Sequence, residues 1–156
     1  MNAATRPVKA YRVLGTTDDV TTCELCGRVE LKSTVALQPL DPDGGADGEP
    51  VYFGSDCAAR AAGWTQKEVR KAAGAADRAR VEAERQRRNA IDWYVSNDRD
   101  VQRARAAVLT VDLGIPWNER RRSPEYLARD AAEATARAAA ELLHPAVPAL
   151  AKAASA

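Results

Sequence analysis

The pattern of apolar and polar positions changes character near residue 63. Before it, three β-prone runs, YRVL at 11–14, VELKSTVALQPL at 29–40 and VYF at 51–53, are separated by polar, turn-rich segments. The segment DPDGGADGE at 41–49 supplies the Gly, Pro and Asp residues of a long hairpin loop. The pattern therefore predicts a short strand followed by a β-hairpin over residues 29–53.

Helical signals begin after the third run. The segment GSDCAARAAG at 54–63 predicts a short helix with Ser55 or Asp56 as its N-cap and Gly63 as its C-terminal stop. Thr65 and Glu68 have the spacing of a capping box, in which each side chain accepts a hydrogen bond from the other residue's backbone N–H. A long helix is therefore predicted to begin at Gln66.

Two more helices are predicted beyond the long one. Ser96 or Asn97 would cap the first of them, Gly114 and Pro116 would end it, and Ser123 with Pro124 would begin the last. The faces expected to be buried are mostly alanine and bury little area per residue. They comprise Val69, Ala72, Ala76, Ala79, Ala83, Gln86, Ala90 and Trp93; Val101, Ala104, Val108 and Val111; and Leu127, Ala131, Ala134, Ala138 and Leu142.

Three cysteines carry the chemistry that the sequence suggests. Cys23 and Cys26 lie in CELCG, a CxxC pair followed by a glycine, which is typical of a zinc knuckle. Cys57 follows the hairpin and falls in the first turn of the short predicted helix, where the helix dipole favours a thiolate. The chain order of knuckle, hairpin and ligand-bearing helix start is that of a treble-clef zinc module, with Zn²⁺ as the expected cofactor.

A fourth zinc ligand is not evident. A second CxxC would require a cysteine three residues before Cys57, but Gly54 occupies that position. Zinc can complete its tetrahedron with a carboxylate, a histidine or water. Asp56 ranks first because it lies at the helix start, followed by Asp19 beside the knuckle and then by water. The only histidine, His144, fits better as a solvated residue at a helix end.

Two other readings of the cysteines remain open. A redox CxxC pair belongs at a strand-to-helix junction in a βαβ unit, whereas this pair precedes a hairpin. The three residues could also be small apolar core residues without a metal.

The stretches TTCELCGRVELKSTVAL and VYFGSDCAAR resemble a group of small three-cysteine proteins of actinobacteria and of their phages and mobile elements. The matched stretch runs from about Thr16 to Gly63. In that group a CxxCG motif and a GxxCA motif form a treble-clef-like module joined to a helical tail. The resemblance implies a metal site with three cysteines and implies no activity.

Basic residues concentrate in the middle of the chain. Residues 60–122 contain 15 basic and 9 acidic side chains, although the whole chain carries a net charge of only +1. Lys71, Arg78, Arg85 and Arg88 fall near one stripe of the long helix, where they could contact nucleic-acid phosphates or form a solvated face diluted by Glu82 and Glu84. The loop residues Arg120, Arg121 and Arg122 form a second basic group.

Several function classes receive no support from the sequence. The first residues, MNAATRPVKAYRV, lack the apolar core of a signal peptide, and no segment has the apolar length of a membrane span. An odd cysteine number disfavours a disulfide framework. A cytoplasmic protein is therefore expected. No phosphate loop, GxSxG or HxE motif occurs, so we expect no enzymatic activity.

Together these patterns predict an α+β protein with three segments. Residues 1–63 would form the zinc-binding module, 64–144 a three-helix region, and 145–156 a flexible tail. The leading functional hypothesis is a non-enzymatic, zinc-stabilised binding protein that contacts nucleic acid through its basic helix. The alternative is a protein–protein adaptor or inhibitor, or a homodimer, that uses its alanine-rich helices. The third hypothesis is a metal- or thiol-dependent enzyme.

Overall fold

The computed structural model describes residues 10–110, 116–148 and 150, with the side chain of residue 117 excepted. The chain divides into two compact units. One comprises residues up to Val81 together with the described residues from Pro148 onward, and the other is Glu82–Val147. A three-stranded antiparallel sheet comes first and helices follow it, so the α+β prediction is confirmed.

The sheet consists of β1 (Ala10–Thr17), β2 (Thr34–Leu40) and β3 (Val51–Phe53), in the order β1-β2-β3. β2 and β3 form the predicted hairpin. β2 begins later than residue 29, where the sequence placed it. Glu30 has a φ of 58°, outside the extended region, so the backbone there cannot continue a strand.

Five helices are present among the described residues. They are α1 (Ser55–Ala62), α2 (Gln66–Asn97), α3 (Arg99–Leu109), α4 (Trp117–Arg120) and α5 (Pro124–Leu143). The short helix α4 was not predicted. Helix α3 ends at Leu109, before the predicted stop, and Gly114 lies outside the described residues.

Helix starts follow the sequence signals with two corrections. The Thr65 N–H donates to Glu68 Oε2 at 2.7 Å, and the Glu68 N–H donates to Thr65 Oγ1 at 3.2 Å, so the capping box is confirmed. Ser123 caps α5 as predicted. Gly54, with no side chain to offer, is the N-cap of α1 in place of Ser55 or Asp56.

The cap of α3 is also corrected. Asp98, which lies one or two positions after the predicted caps, accepts from the N–H groups of Asp100 at 2.9 Å and Val101 at 3.0 Å. Ser96 and Asn97 belong instead to the last turn of α2. Adjacent polar residues can each cap a helix, and the sequence does not decide which of them leaves the preceding helix.

The first unit is built around the sheet, α1 and the start of α2. In its core, two cysteines pack among residues of the strands. Helix α2 contributes Val69, as predicted. The buried members of this core are Cys23, Val35, Leu37, Phe53, Cys57, Ala58, Ala59, Val69 and Ala73.

The second unit packs α3 against α5 and the C-terminal part of α2, with Ile91, Val95, Val101, Ala136 and Ala140 as its buried core. The predicted face of α5 is wrong, because all five of its residues are exposed. Leu127 and Leu142 are 58% and 85% exposed. The alanines predicted on the same face of α5, Ala131, Ala134 and Ala138, are exposed as well. Alanines occur on several sides of α5, so their spacing does not select one face.

The α2 stripe needs a similar correction. Val69 is buried as predicted, but Ala79, Ala83 and Gln86 are exposed, and Trp93 is 69% exposed. In α3, Val101 is buried as predicted, whereas Val111 lies outside the described residues. Branched side chains, rather than the alanines, mark the part of α2 that the second unit buries.

One carboxylate joins α2 to the edge strand β1. Strand pairing shifts register between Val13 and Gly15, and Gly15 has a φ of 137°. Beside this bulge, Asp77 Oδ1 accepts from the Thr16 N–H at 3.0 Å and Asp77 Oδ2 accepts from the Thr16 hydroxyl at 2.7 Å. A Cβ at Gly15 would lie 2.3 Å from Asp77 Oδ1, so only glycine leaves room for this contact.

We expect Asp77→Ala to lower the free energy of unfolding of the first unit by about 1–3 kcal/mol, because the Thr16 N–H would lose a charged acceptor. Chemical denaturation measures the change. Asp92→Ala is the matched control, since Asp92 forms an exposed ion pair with Arg137 and should contribute about 0–1 kcal/mol. Equal effects of the two substitutions would contradict the role given to Asp77.

The packing of α5 gives a second prediction. Ala140 is fully buried, so Ala140→Leu should overpack the contact between helices and cost about 1–3 kcal/mol. Ala138→Leu, on the exposed side of the same helix, should change stability by less than about 0.5 kcal/mol. Thermal denaturation of both variants checks the assignment, and a neutral Ala140→Leu would show that this face of α5 is not packed.

Candidate metal centre

The CxxC pair lies in a tight turn between β1 and β2. The Gly27 N–H donates to the Cys23 carbonyl at 2.8 Å, and the Cys23 N–H donates to the Arg28 carbonyl at 2.8 Å. Gly27 has a φ of 73°, a left-handed conformation that glycine adopts without steric cost. The glycine that follows the pair is therefore what allows the chain to fold back after Cys26.

The turn is attached to the last strand of the hairpin. The Glu24 N–H donates to the Tyr52 carbonyl at 2.9 Å, and the Tyr52 N–H donates to Glu24 Oε2 at 3.2 Å. Since α1 begins two residues after β3, this attachment brings the turn close to the start of α1. Cys57 lies in that first helical turn.

The three cysteines converge, as the sequence predicts. Their Sγ atoms all lie within 4.8 Å of one another, and all three thiols are free. Sulfurs around a tetrahedral zinc lie about 3.8 Å apart, given Zn–S distances of about 2.3 Å. The donor set is thus consistent with a metal ion such as zinc, and only small adjustments would bring all three sulfurs to bonding distance.

Two of the three thiols are buried. Cys23 is 1% exposed and Cys57 is 6% exposed, whereas Cys26 is exposed. Burial opposes ionisation of Cys23, but N–H groups of Gly54, Cys26 and Leu25 donate to its sulfur and the net result lowers its pKa to about 7. Backbone donors of the knuckle therefore favour the thiolate that a metal requires.

Arg60 is a site residue that the sequence analysis missed. Its Nη2 donates to Cys57 Sγ at 3.2 Å. This guanidinium favours the Cys57 thiolate, but burial and the neighbouring Cys26 and Cys23 thiols outweigh it, so the pKa of Cys57 is raised. One signal was present in the sequence: Arg60 is three residues after Cys57, the spacing at which helical side chains meet.

The predicted fourth ligands have other partners in the structure. Asp56 is exposed, and its Oδ1 accepts a hydrogen bond from Gln66 Nε2. Asp19 Oδ2 accepts from the Thr17 hydroxyl at 3.2 Å. His144, which the sequence analysis placed at a helix end, is the C-cap of α5. Among the described residues, the donor atoms that cluster are the three sulfurs, and a role for Asp56 as ligand stays a prediction.

The basic residues of α2 divide between the two units. Lys71 and Arg78 are exposed, and neither has an ion-pair partner in the described part of the chain. Arg85 forms two hydrogen bonds with Glu82, at 2.8 and 2.9 Å, and Arg88 lies 3.8 Å from a Glu84 oxygen. The predicted dilution by neighbouring carboxylates is therefore present in the second half of the stripe.

The second basic group lies where α4 ends. Arg120 is the last residue of α4, and Arg121 and Arg122 form the turn that leads to α5. Arg121 and Arg122 are exposed, whereas Arg120 is half-buried. No contact in the structure tests whether these residues bind phosphate, so their assignment stays a prediction.

Comparisons with models of protein families, with curated proteins and with solved structures find no match to the chain. No helix in the described ranges combines the length and apolar character that a membrane crossing needs.

We expect Cys23→Ser, Cys26→Ser and Cys57→Ser each to lower zinc affinity by more than about 100-fold, which exceeds the effect typical of an outer partner of a ligand. The first unit should lose its dispersed amide signals because metal binding and folding are coupled in so small a module. Metal analysis and NMR measure the two effects.

Ser33→Ala is the matched control for the cysteine variants, since Ser33 lines the same cleft without belonging to the sulfur cluster. It should retain stoichiometric zinc. If the wild type carries no metal and the three serine variants melt like it, the cysteines are core residues and the metal assignment is wrong.

Proposed function

We propose that the protein is a non-enzymatic binding protein whose N-terminal module is stabilised by Zn²⁺. The observation that carries this proposal is the convergence of three cysteine sulfurs from the knuckle and from α1. In the order knuckle, hairpin and helix start, the module follows the plan of a treble-clef zinc finger. We include a cytoplasmic location in the proposal, because free thiols persist in a reducing compartment.

The resemblance to small three-cysteine proteins of actinobacteria, their phages and mobile elements belongs to the same proposal. It rests on the Cys23, Cys26, Gly27, Gly54 and Cys57 positions. The resemblance implies a metal site with three cysteines and no activity, so it leaves the partner of the protein open.

Nucleic acid is the first candidate partner. Lys71 and Arg78 support it, since their charges are exposed and not neutralised by a described carboxylate. Arg85 and Arg88 contribute less, because each would have to leave a glutamate to reach a phosphate. Contacts of this kind bind without base preference and weaken as salt concentration rises.

Substitution of Lys71, Arg78, Arg85 and Arg88 by glutamine should weaken binding of labelled duplex DNA uniformly across sequences. It should also reduce the dependence of log Kd on log salt by up to about 3–4, at roughly 0.9 per lost phosphate contact. Fluorescence anisotropy at several salt concentrations measures both. Single-stranded RNA in a parallel titration tests the other class of nucleic acid.

A matched control removes the same charge elsewhere. Lys32, Arg70, Arg99 and Arg103 are exposed, and their replacement by glutamine should leave most of the affinity and salt dependence in place. Equal losses in the two quadruple variants would indicate a general effect of net charge. Unchanged binding in the first variant would remove this helix from the proposal.

A second candidate function is protein binding, and the exposed face of α5 favours it. Leu127, Ala131, Ala134, Ala138 and Leu142 are spaced as one apolar face and are all exposed. Exposed apolar surface of this kind marks protein interfaces. A second copy of the chain is the simplest partner, through pairing of the same face on both copies.

Light scattering over a range of protein concentrations tests for such a dimer. If the face is the interface, Leu127→Gln with Leu142→Gln should weaken association by about tenfold or more, since each leucine contributes about 1.5–3 kcal/mol when buried. Leu109→Gln, also exposed but on α3, is the control. A monomer at all concentrations would exclude the homodimer.

A further inference from the structure

The cysteine cluster opens into a cleft of about 300 Å³. Besides the sulfurs, Gly54, Asp56, Arg28 and Arg60 line this cleft. A zinc ion held by three thiolates needs a fourth donor. In structural sites the protein supplies this donor, whereas in other sites water or a small ligand supplies it.

Gly54 occupies the position of the missing cysteine. It lies three residues before Cys57 and lines the same cleft as the three cysteines. Its φ of −60° and ψ of 151° are open to any residue. A Cβ at this position would meet only Leu31 Cδ1, at an ordinary 3.5 Å. Neither backbone conformation nor crowding requires glycine here, and the space next to the cluster is free.

The carboxylate that lines the cleft, that of Asp56, has other contacts. Asp56 accepts from the side-chain amide of Gln66, and the same amide donates to the Ser55 hydroxyl at 3.2 Å. These bonds tie the Asp56 side chain to the start of α2. No Asp56 oxygen belongs to the cluster that the three sulfurs form.

A positive charge lies beside the cysteine cluster. Arg60 Nη2 lies 3.2 Å from Cys57 Sγ. A zinc ion bonded to that sulfur at about 2.3 Å would therefore lie within about 5.5 Å of the guanidinium nitrogen. Arg28 lines the same cleft. Guanidinium groups favour anionic ligands and present several N–H donors to them.

We propose that the fourth coordination position of the metal is open to solvent at Gly54, and that Arg60 favours its occupation by a small anionic ligand. This inference rests on the proposed zinc site and gives that site an exchangeable position. The ligand class is a monoanion with one donor atom for the metal and acceptor atoms for a guanidinium, such as a carboxylate.

Cobalt(II) provides the test, because its visible d–d bands respond to the donor set. The full chain is loaded with cobalt and titrated with acetate or azide at constant ionic strength. The wild type should show a saturable band change. Arg60→Gln should weaken the titration about tenfold by removing a charge-assisted contact. Arg70→Gln, an exposed arginine outside the cleft, should titrate like the wild type.

Variants at Gly54 test the geometry. Gly54→Cys should retain cobalt, acquire the spectrum of a four-thiolate site and lose the response to both anions. Gly54→Ala should keep the response, since it fills no coordination position. A Gly54→Cys variant that responds like the wild type would overturn the assignment of the open position.

The remaining outcomes separate this inference from the proposed function. Cobalt binding with bands that do not respond to either anion would overturn the open position and leave the three-cysteine metal site in place. A changed spectrum of Asp56→Ala before any anion is added would identify Asp56 as the fourth ligand and overturn the inference. Failure to bind cobalt or zinc at all would overturn both.

Discussion

Three thiols that meet at the end of a hairpin set the main physical constraint on the first unit. Two of them are nearly inaccessible to water, and buried sulfur anions are unfavourable unless a cation or several N–H donors compensate for the lost hydration. The knuckle supplies backbone donors to Cys23, and Arg60 supplies one positive charge to Cys57. A divalent cation would neutralise most of the remaining negative charge of three thiolates, and the sulfur cluster is consistent with such an ion.

The same constraint links the site to the fold. Cys23 and Cys57 belong to the core that also contains Val35, Phe53 and Val69. A metal bonded to both cysteines would hold the knuckle, the hairpin and α1 in one arrangement, and Val69 would then pack α2 against them. The second unit has a core of Ile, Val and Ala residues and no clustered metal ligands among its described residues. Its stability should therefore depend on close helix packing and not on the metal.

Several local signals in the sequence were confirmed. Gly63, the Thr65–Glu68 capping box and the CxxC turn each involve residues within a few positions, so their geometry follows from the sequence directly. The buried face of α5 could not be predicted, because its alanines occur on several sides of the helix. The leucines that were expected in the core are exposed. The contact of Asp77 with Thr16 spans 61 residues, and no local pattern indicates it. The sequence shows that Gly54 occupies the position of a missing cysteine ligand, but only the structure shows the open space beside it.

X-ray absorption at the zinc K-edge of the purified wild-type protein counts the sulfur neighbours of the bound ion. We expect three sulfurs at about 2.3 Å and one oxygen or nitrogen at about 2.0–2.2 Å. A stoichiometric metal with fewer than three sulfur neighbours, or the absence of zinc from protein purified without chelators, would contradict this expectation.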